Sequence, residues 1–131
     1  MSLHRLIPLA TVIVLACSTF TAKAALDAAA KGSEISMLQN AYVLLSQANH
    51  DYDGHRVKAM QSIHKAALLL RVNLQAKGEV HEDQGTSDTQ LQQAQKMLQQ
   101  ARTFAVGKNQ RKLVKHLDTA IGHLSAALGT K

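Results

Sequence analysis

The chain has 131 residues, enough for one domain. Hydrophobic residues make up 46% and aromatic residues 3%, with a single Pro, a balance that favours helices packed on helices over a β-sandwich or a doubly wound sheet. The formal charge of +6 is mild for this length, and the lone Cys17 excludes an intrachain disulfide framework, paired-cysteine metal motifs and c-type haem attachment.

Residues 1–24 read as an export signal. Arg5 precedes an apolar run from Leu6 to Ala16, and Ala22-Lys23-Ala24 is a small-x-small exit before Ala25. The run is too short for a comfortable membrane span. A second route overlaps it: Ile13-Val14-Leu15-Ala16-Cys17 resembles a lipobox, in which Cys17 becomes the acylated first residue and Ser18 its neighbour. Leu15, two before the cysteine, is permitted there but not favoured, so cleavage after Ala24 is the preferred expectation. It gives a periplasmic or secreted protein; lipidation of Cys17 would instead anchor the chain in the envelope and is the one route to a membrane.

Four amphipathic segments follow in residues 25–131. Ser33 with Glu34 predicts the start of the first helix, which runs to about Asn49 with Leu38, Ala41, Tyr42, Leu45 and Ala48 on one stripe. After a turn at Asp51 to Gly54, a second helix is predicted from Asp53 or His55, burying Val57, Met60, Ile63, Ala67, Leu70 and Leu74 and closing at Lys77-Gly78. These make a first hairpin of about 33–78. A polar linker occupies 79–86. The second hairpin, about 87–129, begins with Ser87 and Gln90 at capping-box spacing and carries Leu91, Ala94, Leu98, Ala101 and Ala105. Gly107 to Asn109 turns the chain into a fourth helix with Leu113, Leu117, Ala120, Ile121, Leu124 and Leu128, ended by Gly129.

The halves look duplicated. Met37-Leu38-Gln39-Asn40-Ala41 matches Met97-Leu98-Gln99-Gln100-Ala101, and Val57-Lys58 with Met60 and Ala67 matches Val114-Lys115 with Leu117 and Leu124. One hairpin cannot bury its stripe alone, so the expected fold is an all-α, antiparallel up-down-up-down four-helix bundle from two tandem hairpins.

The stretch Asn49 to Arg56 is the most distinctive. Asn49, Asp51 and Asp53 ahead of Gly54 imitate the opening of a calcium loop, but the closing position is Met60 rather than a bidentate Glu, and the normally apolar eighth position is Arg56. The plainer expectation is that Asp51 and Asp53 cap the second helix while Gly54 makes the turn. Tyr52 is placed to pack across the hairpin mouth, with His55 and Arg56 reaching Asp51 or the end of the first helix. Asp51, Tyr52, Asp53, Gly54, His55 and Arg56 form a candidate ligand-binding turn. Through Asp51, Tyr52, Gly54, His55 and Arg56, followed by Ala59, Ile63 and Ala66, the sequence resembles a group of uncharacterised small exported bacterial helical proteins with an Asp-Tyr-x-Gly-His-Arg hairpin. That resemblance covers one hairpin and implies no activity.

Six histidines follow the signal: His50, His55, His64, His81, His116 and His123. None pairs with another His or a Glu at the three- or four-residue spacing that puts two ligands on one helix face, so no metal site is assigned, although His50 and His55 could meet across the turn. In an up-down-up-down bundle, Met37 and His123 would share one end and resemble the axial pair of b-type cytochrome bundles; a haem or metal carrier is therefore the alternative reading.

Enzymatic readings lack groups. Glu occurs only as Glu34, Glu79 and Glu82, no Ser sits in a nucleophile-elbow motif, and Asp51 and Asp53 belong to the turn. Lys108, Arg111, Lys112 and Lys115 have only Phe104 beside them and read as a solvated face rather than a nucleic-acid surface. The expectation is a non-enzymatic exported module of the bacterial cell envelope without a cofactor, acting through a protein or another envelope component.

Overall fold

A computed structural model describes residues 19–49, 52–78 and 83–129, with side chains from residue 28 onward. The fold of these residues is all-α: α1 (Thr19–Gln47), α2 (His55–Leu69), α3 (Gln84–Gly107) and α4 (Arg111–Gly129), with one 3-10 turn at Tyr52–Gly54 ahead of α2. Cys17, His50, Asp51, Glu79, His81 and Glu82 lie outside the described residues, as does most of the predicted signal.

The core follows the predicted leucine–alanine stripes of α1, α3 and α4, but the buried face of α2 is shifted: Val57 is exposed and Met60 only partly buried, while Ala59 and Ala66 are buried. Leu38, Ala41, Leu45 and Ala48 come from the α1 side, Ala59, Ile63, Ala66 and Ala67 from α2, and Leu91, Ala94, Leu98, Ala101 and Ala105 from α3. Leu113, Leu117, Ala120, Leu124 and Ala127 complete it from α4. Alanines interspersed among the larger side chains of the stripes let the helices approach closely without rings to fill the space.

The chain order around the bundle departs from the expectation. Packing joins α1 to α3, α3 to α4, α4 to α2 and, more thinly, α2 to α1; among the described residues, α1 does not touch α4, nor α2 touch α3. Directions follow from the cross-links. Glu34 meets Lys108 while Asn49 N–H donates to Ser87 Oγ, so α1 and α3 are antiparallel. Gln95–Ser125 and Arg102–Asp118 make α3 and α4 antiparallel. Helices α1 and α4 therefore run parallel on opposite corners, and the order is up-down-down-up rather than up-down-up-down.

This order fits the duplicated pattern of the sequence. Each helix packs antiparallel on its counterpart in the other hairpin, as a twofold relation between two hairpins would place them, and the repeat-equivalent Met37 and Met97 line one shallow groove. The cost is a connection that must traverse the bundle. Helix α2 is about 22 Å long at 1.5 Å per residue, and the 13 residues of 71–83 span up to about 43 Å when extended. Gln39 Nε2 donates to Gln75 O at 2.8 Å, its Oε1 accepts from Gln75 N at 3.1 Å, and Ser46 Oγ accepts from Lys77 N at 3.0 Å. These bonds fasten the crossover along α1.

Three helix boundaries also move. Helix α1 begins at Thr19, not Ser33, because the Ala- and Lys-rich stretch before it favours helix without a cap. Ser33 bonds back to Ala29 O instead. Helix α2 stops at Leu69 rather than at Lys77-Gly78. Arg71, at φ 59, takes the left-handed position, with Arg71 N donating to Leu68 O and Val72 N to Ala67 O, so a non-glycine residue closes the helix. Leu74 is buried as expected, but on the crossover. Helix α3 starts at Gln84, capped by Asp83, whose Oδ1 accepts from Thr86 N at 2.7 Å; Ser87 lies inside its first turn and is buried.

Candidate functional site

The described turn residues, Tyr52 to Arg56, turn to different neighbours. Tyr52, Asp53 and Gly54 all have positive φ, at 51°, 53° and 77°. Gly54 is the N-cap of α2 and makes no side-chain cap bond. Asp53 is exposed, so the expected capping by this carboxylate is not formed. Tyr52 is buried and reaches past its own hairpin to Asp88 of α3, donating its hydroxyl to Oδ1 at 2.8 Å. Burial raises its pKa above the usual phenol value, and the Asp88 carboxylate adds to the rise through its hydrogen bond and charge; Ser87 and Arg56 oppose it.

Arg56 does what the sequence suggested. Its buried guanidinium donates from Nη1 to Leu45 O at 2.9 Å, satisfying a carbonyl at the C-terminal end of α1 and complementing the helix dipole there. His55 does not turn toward α1. Its ring faces His123 of α4, with Nδ1 atoms 3.4 Å apart and ring centroids 5.7 Å apart. His123 has its pKa lowered by partial burial first, then by His55 and Lys58.

The Met37/His123 haem pair of the alternative reading is not assembled. Met37 sits between α1 and α3 beside Met97, whereas His123 sits between α4 and α2. Because α1 and α4 are parallel and Glu34 meets Lys108 just ahead of α4, Met37 is level with the start of α4, which leaves His123 near the far end of the bundle. Met60, at the closing position of the calcium-like pattern, faces a groove, and Arg56 is engaged with α1. Among the described residues no three His, Cys, Asp or Glu side chains converge as a metal cluster would. Of the basic cluster, Lys108 is drawn in to Glu34, while Arg111, Lys112 and Lys115 remain exposed.

One concavity among the described residues was not foreseen. A groove of about 660 Å³ lies between α1, α2 and the crossover. Tyr42, Val57, Met60 and Ala76 give it an apolar floor; Arg56, His64, Lys65 and Lys77 give it positive or titratable nitrogen, with Ser46, Gln61 and Gly78 completing the lining. None of the described lining residues is acidic. The groove exists because α1 and α2 meet only thinly and the crossover, fixed to α1, stands beside the gap as a third wall. Met60 and His64 share a helix face, but the opposing wall comes from a segment that reads as a continuation of that same helix. Its size is within the range of small-molecule sites, where an apolar surface supplies area and a few polar groups orient the ligand.

No known family model matches the chain, and neither a curated protein nor a solved structure is significantly similar to it.

Proposed function

We propose that the protein is a non-catalytic binding module whose groove takes a small amphipathic anion, such as a medium-chain carboxylate. One observation carries the reading: an apolar floor of Tyr42, Val57 and Met60 is bordered by Lys65 and Lys77, with no acid among the described lining residues. A hydrocarbon chain gains by leaving water along that floor, and the ammonium groups favour an anionic head over a neutral one. The turn residues act structurally in this reading, with Arg56 and Tyr52 holding α2 where it forms one wall.

The location proposed is the periplasm or the exterior, reached through the residue 1–24 signal. Among the residues whose side chains are described, the buried ones of α1 begin at Glu34, beyond the Ala24 cleavage position. Among the described residues no helix is long and apolar enough to cross a membrane. Intact mass of the protein recovered from a bacterial host distinguishes a chain beginning at Ala25 from one retaining a lipid-modified Cys17.

Binding is tested by nuclear magnetic resonance titration with decanoate, with neutral 1-octanol as control. Decanoate is expected to shift the Met60 and Val57 methyl signals, with an affinity reduced about tenfold or more in the Lys65→Gln/Lys77→Gln variant, equivalent to about 1.4 kcal/mol. Equal responses to both ligands, unchanged by the double substitution, would refute an anion site.

A further inference from the structure

We infer that His55 and His123 form a two-histidine site for a divalent transition-metal ion, clamping α2 to α4. This inference does not rest on the groove, whose lining includes neither residue. The Nδ1 atoms of the two rings are 3.4 Å apart. Two imidazole nitrogens bound to one ion at about 2.0–2.1 Å and a tetrahedral angle stand about 3.4 Å apart. The rings are tilted by 38° rather than stacked, and their Nδ1 atoms face each other, so an ion bound by both would take the place of a shared proton. Each residue is half-buried, which fixes the rings while leaving solvent to fill the remaining coordination positions.

The two ligands come from different helices, 68 residues apart in sequence, and the antiparallel packing of α2 on α4 makes them neighbours. Imidazole selects copper, nickel and zinc over magnesium or calcium, which prefer oxygen. Binding requires both histidines neutral, and the environment of His123 already disfavours its protonated form. Lys58, whose charge acts on His123, opposes a cation at the same place. Removing that charge should therefore tighten binding, an effect that adventitious binding to scattered surface histidines would not show.

The test uses tag-free protein, with thermal unfolding followed by circular dichroism in Ni²⁺, Zn²⁺ or Mg²⁺ at neutral pH. Ni²⁺ and Zn²⁺ are expected to raise Tm in a concentration-dependent way reversed by chelator, because an ion that binds only the folded clamp stabilises it by mass action. Mg²⁺ should have no effect. His55→Gln and His123→Gln should each abolish the rise, His64→Gln should leave it intact, and Lys58→Gln should shift the dependence to lower metal concentration. The Cu²⁺ visible absorption of the wild-type protein should likewise be lost in either clamp variant, giving a readout that does not depend on their melting behaviour. No rise in the wild-type protein, or a rise that survives His55→Gln and His123→Gln, would overturn the site.

Discussion

The hydroxyl of Tyr52 donates to Asp88 Oδ1 at 2.8 Å, joining the turn of the first hairpin to the N-terminal part of α3. The same short region carries Asn49 N–H to Ser87 Oγ and Arg56 to Leu45 O. One end of the bundle is thus tied by side chains from three elements, compensating for a turn whose Tyr52 and Asp53 occupy left-handed backbone conformations that L-residues disfavour.

Tyr52→Phe should destabilise the protein by about 0.5–1.5 kcal/mol, the net worth of one hydrogen bond. The loss should depend on pH in a defined direction. The folded phenol has a raised pKa, so the folded state holds its proton where the unfolded chain releases it. This contribution is fully present below the unfolded value of about 10 and declines as pH rises beyond it. Urea titrations of both proteins between pH 8 and 11 should show a steeper alkaline loss in the wild type; parallel curves would contradict the coupling.

At Gly54, φ is 77° and no atom lies within 4 Å of the position a Cβ would occupy. Substitution there is opposed by backbone conformation alone, so Gly54→Ala should cost about 1–2 kcal/mol and Gly54→Val at least as much. Gly122 has equally open space but lies within α4. Gly122→Ala should therefore stabilise by about 0.5–1 kcal/mol. Thermal melts of the pair check the opposite signs.

The leucine–alanine stripes were legible because helical spacing records which face is buried. They do not record direction. A stripe reads the same whether its helix points up or down, so the expected up-down-up-down order drew no support from the stripes, and the observed order follows from each hairpin helix packing on its counterpart. The crossover was hidden for a related reason: Leu70 and Leu74 stand four apart and extend the α2 pattern, while the helix stop is made by Arg71 in a conformation usually given to Gly. Both the groove and the His55–His123 pair depend on that topology. Arg56, by contrast, was legible because its partner Leu45 lies across a local turn.

Gln39 contacts both backbone groups of Gln75 and holds the crossover that forms the groove's third wall. Gln39→Ala should cost about 1 kcal/mol, given the exposure of the bonds. Hydrogen exchange at the Gln75 and Lys77 amides should accelerate, with little change at the core of α3. Unaltered exchange at Gln75 would mean that the crossover is held by Leu74 burial instead.

Glu34 is fully buried, with Oε2 3.4 Å from Lys108 Nζ and no hydrogen-bond partner for Oε1 among the described residues. A pair this incompletely satisfied is a weak source of stability, yet removing only its cation strands a carboxylate in the interior. Lys108→Met should therefore destabilise by about 1–3 kcal/mol. The Glu34→Met/Lys108→Met protein should match or exceed wild-type stability, because an apolar pair of similar volume has no desolvation to recover. Urea denaturation of the two variants separates this from a pair that stabilises in its own right, for which the double substitution would remain as unstable as the single one.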